Sequence, residues 1–330
     1  MEYRTLGRSG IRISAISFGA GPISGLMVSD RAKDQQETVA EAIQHGVNWF
    51  DTAATYADGR SEQVLGAALS VHSESHGADS RPHIATKVRL AADDLDDVES
   101  AVFTSFKASL RRLGVKRVAL LQLHNSVTAN RGDLPTSITA NDVLGRNGVA
   151  TAFEALKNDG RVEALGFTGL GDRSSLQEVV SSDIFSAAQV PLNLLTPCSS
   201  DDRSAGSVDV DYLQFAEQCA DHGVGVIAIR VMAGGALVGQ PPAPHTYKTK
   251  FFPLDLFHRD AQRAAKVDEA IRSDLTLAEA SVRYVLGVPG VTTALVGFAS
   301  AEQVRQCLSF AQKGPLDRET QRTITRAGSS

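Results

Sequence analysis

The chain has 330 residues, 42% of them hydrophobic and 22% charged, with a formal net charge of -5; this balance describes a folded, enzyme-sized body rather than a disordered or membrane protein. The mild negative charge offers no general attraction for phosphate backbones or anionic lipid, so neither nucleic acid nor a membrane surface is an expected partner. No run of about 18 apolar residues occurs, MEYRTLGRSG lacks a signal-like apolar stretch, and Cys198, Cys219 and Cys307 show no C-x-x-C spacing, so a cytoplasmic protein with reduced thiols is expected.

In chain order, alternation between Tyr3 and Ser14, broken by Gly7 and Gly10, predicts a hairpin within residues 1–15. Short β-rich apolar runs follow at 16–19, 47–51, 84–88, 118–124, 164–168, 187–191, 225–230 and 293–298. Amphipathic helical patterns lie at 35–45, 61–69, 95–113, 149–158, 174–180, 208–222, 275–286 and 301–310. Strands and helices alternating in this way predict an α/β fold, a (β/α)8 TIM barrel, with residues 1–330 forming one domain. Gly46 and Gly160 stand where left-handed C-caps are wanted. Thr276 three residues before Glu279 resembles a capping box. The long irregular stretches 125–148 and 239–259 follow the fourth and seventh strands, which places them on the catalytic face of such a barrel.

Polar residues at the strand ends carry the chemistry. Asp51 closes the second strand, Lys87 sits near the end of the third in IATKV, His124 closes the fourth in LLQLHN, and Tyr56 follows Asp51 by five residues. A buried aspartate needs a partner, and Lys87 on the neighbouring strand supplies one. The same lysine charge beside a phenol stabilises its anion and makes Tyr56 a competent proton donor, as carbonyl reduction requires. Each residue also has a plainer reading: Asp51 with Lys87 as a structural ion pair, Tyr56 as a rim residue, His124 as a satisfied core histidine. Their shared placement at C-terminal strand ends favours the chemical reading. His72 and His76 in HSESH have metal-ligand spacing but sit in a Ser/Gly-rich stretch read as loop, without a third ligand, and no metal is expected.

The segment DTAATYADGRSEQVLG with ATKV, LLQLHN and VPGVTTALVGFASAEQV resembles the aldo-keto reductases over nearly the whole chain. The resemblance implies an NADP(H)- or NAD(H)-dependent oxidoreductase that interconverts a small carbonyl compound and its alcohol. In it Tyr56 is the general acid, Lys87 and Asp51 tune it, and His124 orients the carbonyl oxygen. It implies cofactor contacts from Gly19 and Ala20, from Thr168 and Gln189, from Ile229, Arg230, Ala233, Gly234 and Leu237, and from Gly297, Phe298, Ala299 and Gln303. The family's Ser-Asn pair is here Thr168-Gly169, and its aromatic stacker is replaced by Ile229 and Arg230. Basic residues for an adenosine 2′-phosphate are missing from GFASAEQ. GAGPISG, after the first strand, mimics a dinucleotide fingerprint but has the wrong last gap and no helix directly behind it. The alternative is a cofactor-binding sensor or scaffold with little turnover, since the family includes channel-associated subunits. GFTGLGD with QVPLNLL resembles the branch of sugar and aldose dehydrogenases.

Overall fold

The computed structural model describes residues 1–76, 82–196, 210–271 and 274–329. Strands β1 (Tyr3–Thr5) and β2 (Arg12–Ser14) form the antiparallel hairpin. Eight further strands pair in parallel into a closed barrel: β3 (Ile16–Gly19), β4 (Trp49–Asp51), β5 (His83–Val88), β6 (Val118–Leu123), β7 (Val162–Thr168), β8 (Ala187–Pro191), β9 (Gly225–Ile229) and β10 (Val291–Gly297). They follow one another round the ring in chain order, and β10 closes on β3 through Ala294 opposite Ile16. Sequential right-handed βαβ steps produce this order. The barrel expectation and the N-terminal hairpin therefore both hold.

Helices α1 (Ala32–Gln44), α2 (Arg60–His76), α3 (Val98–Leu113), α4 (Ala140–Leu144), α5 (Val149–Asn158), α6 (Arg173–Ser181) and α7 (Tyr212–Asp221) connect the strands up to β9. Helices α8 (Leu254–Ala270) and α9 (Leu277–Leu286) lead to β10, and α10 (Ala301–Gln312) and α11 (Arg318–Ser329) end the described chain. Side chains cap several starts: Asp97 accepts from Ser100, Asp172 from Ser175 and Thr276 from Glu279. The box at Thr276 is only half made, because the Glu279 carboxylate holds Arg283 and Lys313 instead of reaching back. Gly46 and Gly160 are left-handed, as the cap reading requires.

The inside of the barrel holds its own apolar cluster, with Trp49, Leu120 and Ile227 fully buried. Leu6 and Ile13 of the hairpin join it, so the hairpin plugs the N-terminal end of the barrel. Gly7 makes that seat possible. At φ +47° it lies so close to the barrel that an added Cβ would fall 2.3 Å from the Ser186 carbonyl and 2.4 Å from the Gly225 amide.

Three expectations need correction. The HSESH run lies in the last turns of α2 rather than in a loop. The stretch 239–259 is irregular only as far as Pro253, where α8 begins. The stretch 125–148 contains α4, whose Thr139–Asp142 capping box also accepts Arg131 at 2.9 Å. GAGPISG opens two short 3-10 turns, and α1 begins only at Ala32. Cys198 lies outside the described residues; Cys219 and Cys307 are buried free thiols, and burial raises both to about 12. No helix among the described residues is long and apolar enough to cross a membrane.

Candidate active site

Parallel pairing sets Asp51 of β4 opposite Ala85, and Lys87 of β5 opposite Gln122 of β6. Asp51, Lys87 and Gln122 are at most 1% exposed. The Lys87 ammonium spends its three N–H bonds on the Asp51 carboxylate (2.5 Å), the Thr52 carbonyl (2.8 Å) and the Tyr56 hydroxyl (3.1 Å). The other Asp51 oxygen accepts from Gln122 at 2.9 Å and Gln189 at 2.7 Å. Two buried charges so surrounded meet the demand for pairing and for satisfied lone pairs. Burial pushes the Asp51 carboxyl above its usual range, against the pull of Lys87 and the two glutamines. For Lys87 burial acts downward, but Asp51 and Tyr56 offset it, and the ammonium stands above the ordinary lysine value.

Tyr56 is held on two further sides. Lys87 Nζ lies 4.7 Å from its ring centroid, and the His124 ring meets it edge-on at 5.6 Å. His124 Nδ1 pairs with the Thr55 hydroxyl at 3.1 Å. Burial, then the charges of Lys87 and Arg89, push the His124 imidazole well below its ordinary value near 6.5. Asp51, Tyr56, Lys87 and His124 thus meet at one point at the C-terminal end of the barrel. Gln122 and Thr55 were missed in the sequence. Gln122 stands two residues before His124 on β6, so strand alternation places it on the same face, and that was the available signal.

The positions considered for a cofactor ring the other side of the mouth, on β3 and β7 to β10. Thr168 donates its hydroxyl to the Leu123 carbonyl at 2.9 Å, and Gln189 is turned onto Asp51. Gly19 ends β3, and the amide of Ala20, the next residue, bonds the Asp51 carbonyl. Ile229 ends β9, and Arg230 is paired with Asp260 at 2.8 Å. Ala233, Leu237 and Phe298 have buried side chains, Phe298 packing on Phe18 at 5.5 Å, so any ligand contact they make would come from the backbone. Ala233, Gly234 and Gly235 are successive left-handed residues, and beside Gly234 an added Cβ would meet nothing nearer than 3.8 Å. A bare, curled backbone of this kind suits a phosphate, as does the start of α10. There Ser300 caps the helix and the Gln303 side chain accepts from the Ala299 amide at 2.8 Å, while Gly297 ends β10. The residues present therefore fit a dinucleotide.

The model of the aldo/keto reductase family matches residues 15–328. The chain belongs to this family. It is 27% identical to L-galactose dehydrogenase of Arabidopsis thaliana over 312 residues, 93% of this chain and 86% of that protein. It is 25% identical to a probable voltage-gated potassium channel subunit beta of the same plant over 334 residues, 96% of this chain and 93% of that one. Among solved structures it is similar to an aldo-keto reductase from Klebsiella pneumoniae in complex with NADPH. The TM-score is 0.68 at 21% identity, covering 100% of this chain and 96% of that chain. This aldo/keto reductase family member thus keeps the family fold through long sequence divergence.

The depressed His124 has a measurable consequence. An unfolded histidine takes up a proton as pH falls through about 6.5, whereas the folded one refuses it until lower pH, so stability drops on acidification by up to about 1.4 kcal/mol per pH unit. In denaturant titrations between pH 7.5 and 5, His124→Gln is expected to show a shallower decline than wild type. Equal slopes would mean that His124 titrates normally.

Proposed function

We propose that the chain, working as one barrel domain, is an NAD(P)(H)-dependent oxidoreductase that interconverts a small aldehyde, ketone or aldose and its alcohol. The observation that carries this reading is a single ammonium, Lys87, bonded at once to the Asp51 carboxylate and the Tyr56 hydroxyl. A nicotinamide, when bound, supplies or accepts the hydride. In reduction Tyr56 Oη passes its proton to the carbonyl oxygen, and the Lys87 N–H stabilises the phenolate left behind. The Thr55 hydroxyl at 3.1 Å from Nδ1 is able to donate to it, and in that tautomer the neutral His124 carries its proton on Nε2 and donates a hydrogen bond that orients the same oxygen. Alcohol oxidation runs these transfers backwards. Ala233–Gly235 and the start of α10 would hold the phosphates, and Ile229 and Arg230 would border the ring.

The test is direct. Purified protein is mixed with NADPH or NADH and a panel of small aldehydes, and separately with NAD or NADP and aldoses, while the absorbance of the reduced ring is followed. Bound cofactor with no turnover in either direction would instead favour a binding subunit, the reading that the similarity to a channel subunit supports.

Cofactor choice follows from charge. Positions 297–303, GFASAEQ, contain no Lys or Arg, and the one basic residue nearby on α10, Arg305, is held by Glu302 at 2.7 Å and by Glu41 of α1 at 3.1 Å. An adenosine 2′-phosphate brings nearly two charges that need partners. The expected kcat/KM ratio for NADPH over NADH, at one substrate and one ionic strength, is therefore small, with NADH equal or preferred. A ratio above about 100, equivalent to roughly 2.7 kcal/mol, would reveal a clamp. Lys248→Ala and Lys250→Ala would then show whether the loop after β9 provides it.

A further inference from the structure

A segment crosses the barrel mouth. β5 and β9 lie four places apart in the closed ring of eight, which is diametrically opposite. Yet the loop after β9 sets the Phe251 ring over the guanidinium of Arg89, just past the end of β5, at 4.8 Å from the central carbon. The adjacent Phe252 sits over Arg230 at 4.3 Å, on the β9 side. The two arginines differ in what else they hold. Arg230 carries the Asp260 carboxylate. Arg89 is half-buried, has no carboxylate partner among the described residues, and its Nε is shut off from solvent without an acceptor. Its charge reaches Tyr56, His124 and His245 of the same crossing loop.

A stacked guanidinium whose Nε has lost water and gained no acceptor, and whose terminal nitrogens hold no carboxylate among the described residues, is a site for an anion, since a fork of N–H groups matches a carboxylate or phosphate. The candidate cofactor positions lie on β3 and β7 to β10, whereas Arg89 stands two residues beyond Lys87, beside the groups that would handle the carbonyl. We propose that the substrate is an anionic carbonyl compound, whose carboxylate or phosphate is held by Arg89 beneath Phe251. This rests on the reductase reading above and adds the substrate class to it.

The test compares two aldehydes of nearly equal shape, 4-carboxybenzaldehyde and 4-nitrobenzaldehyde, of which only the first is charged. Their kcat/KM ratio is measured in wild type, Arg89→Gln and Arg89→Lys with saturating cofactor. Comparing ratios between variants cancels the different intrinsic reactivity of the two compounds. A fall of roughly 10- to 100-fold in Arg89→Gln, from the charged substrate alone and mainly in KM, is expected from the loss of charge-assisted bonds. Arg89→Lys should lie between, and it decides the matter if the glutamine variant fails to fold. A parallel comparison of glyceraldehyde 3-phosphate with glyceraldehyde separates phosphate from carboxylate as the group recognised. Loss of both aromatic substrates by the same factor, with the glyceraldehyde pair equally indifferent, would overturn the proposal and leave the reductase reading standing. If no aldehyde is reduced, the reductase reading fails. The anion site is then judged by calorimetry of benzoate against benzamide: a benzoate preference lost in Arg89→Gln supports it, and equal binding overturns it.

Discussion

Lys87→Met is expected to abolish most turnover, by at least the roughly 10²–10⁴-fold that a positioned proton donor is worth, and to destabilise the fold at the same time. Both effects come from one nitrogen. Lys87 Nζ serves Asp51, the Thr52 carbonyl and the Tyr56 hydroxyl, and methionine can donate to none of them. Asp51 would keep only Gln122 and Gln189. A buried carboxylate that loses its ion partner costs about 3–5 kcal/mol unless it takes up a proton. Denaturant titration reads the second effect, and stopped assays on the folded fraction read the first. A companion, Lys87→Met with Asp51→Asn, should recover much of the stability without the activity, because the stranded charge is gone while the phenol still lacks its ammonium. A variant whose pH–rate profile matches wild type would remove Lys87 from the reaction and leave it a structural ion.

Much of this arrangement is legible in the sequence. β3, β8 and α5 have the ends that apolar patterning predicts, because each is an uninterrupted apolar or amphipathic run between clear breakers. Asp51, Lys87 and His124 stood out because a charged or polar group at the end of an apolar strand is costly without a purpose. The failures have equally specific causes. α8 was invisible because Asp260 occupies its buried face among Phe257, Ala264 and Val267, and the pattern makes sense only once Arg230 is known to pair with it. α11 offers only Ile324 and Ala327 as apolar anchors in a polar segment. Gln122 hides inside an apolar run, since its partner lies 71 residues away. Thr55 and Arg89 could be located only by placing neighbouring strands, and a loop from across the ring, in space.

Tyr56→Phe is the sharper test of chemistry, because the structure explains why it should leave nearly everything else in place. The phenyl ring keeps the edge contact with His124 and the face that Lys87 approaches at 4.7 Å. What disappears is one hydroxyl and its 3.1 Å bond from Lys87, on a half-buried side chain where water can take the freed N–H. Stability should change little. Turnover should fall roughly 10²–10⁴-fold, in kcat and kcat/KM together, since the lost proton transfer is made only in the transition state. Cofactor affinity, measured by quenching or calorimetry, should stay near wild type, because the candidate contacts lie on β3 and β7 to β10 and Tyr56 follows β4. That split separates the two readings of the fold. A binding subunit would lose nothing when the hydroxyl goes, whereas an oxidoreductase would keep its cofactor and lose its reaction. Wild-type-like turnover in the variant would require another donor within reach of the carbonyl oxygen. His124 is a poor substitute, because burial and the nearby charges of Lys87 and Arg89 keep its imidazole neutral, and a neutral ring gives up its proton too reluctantly to replace a phenol braced by an ammonium.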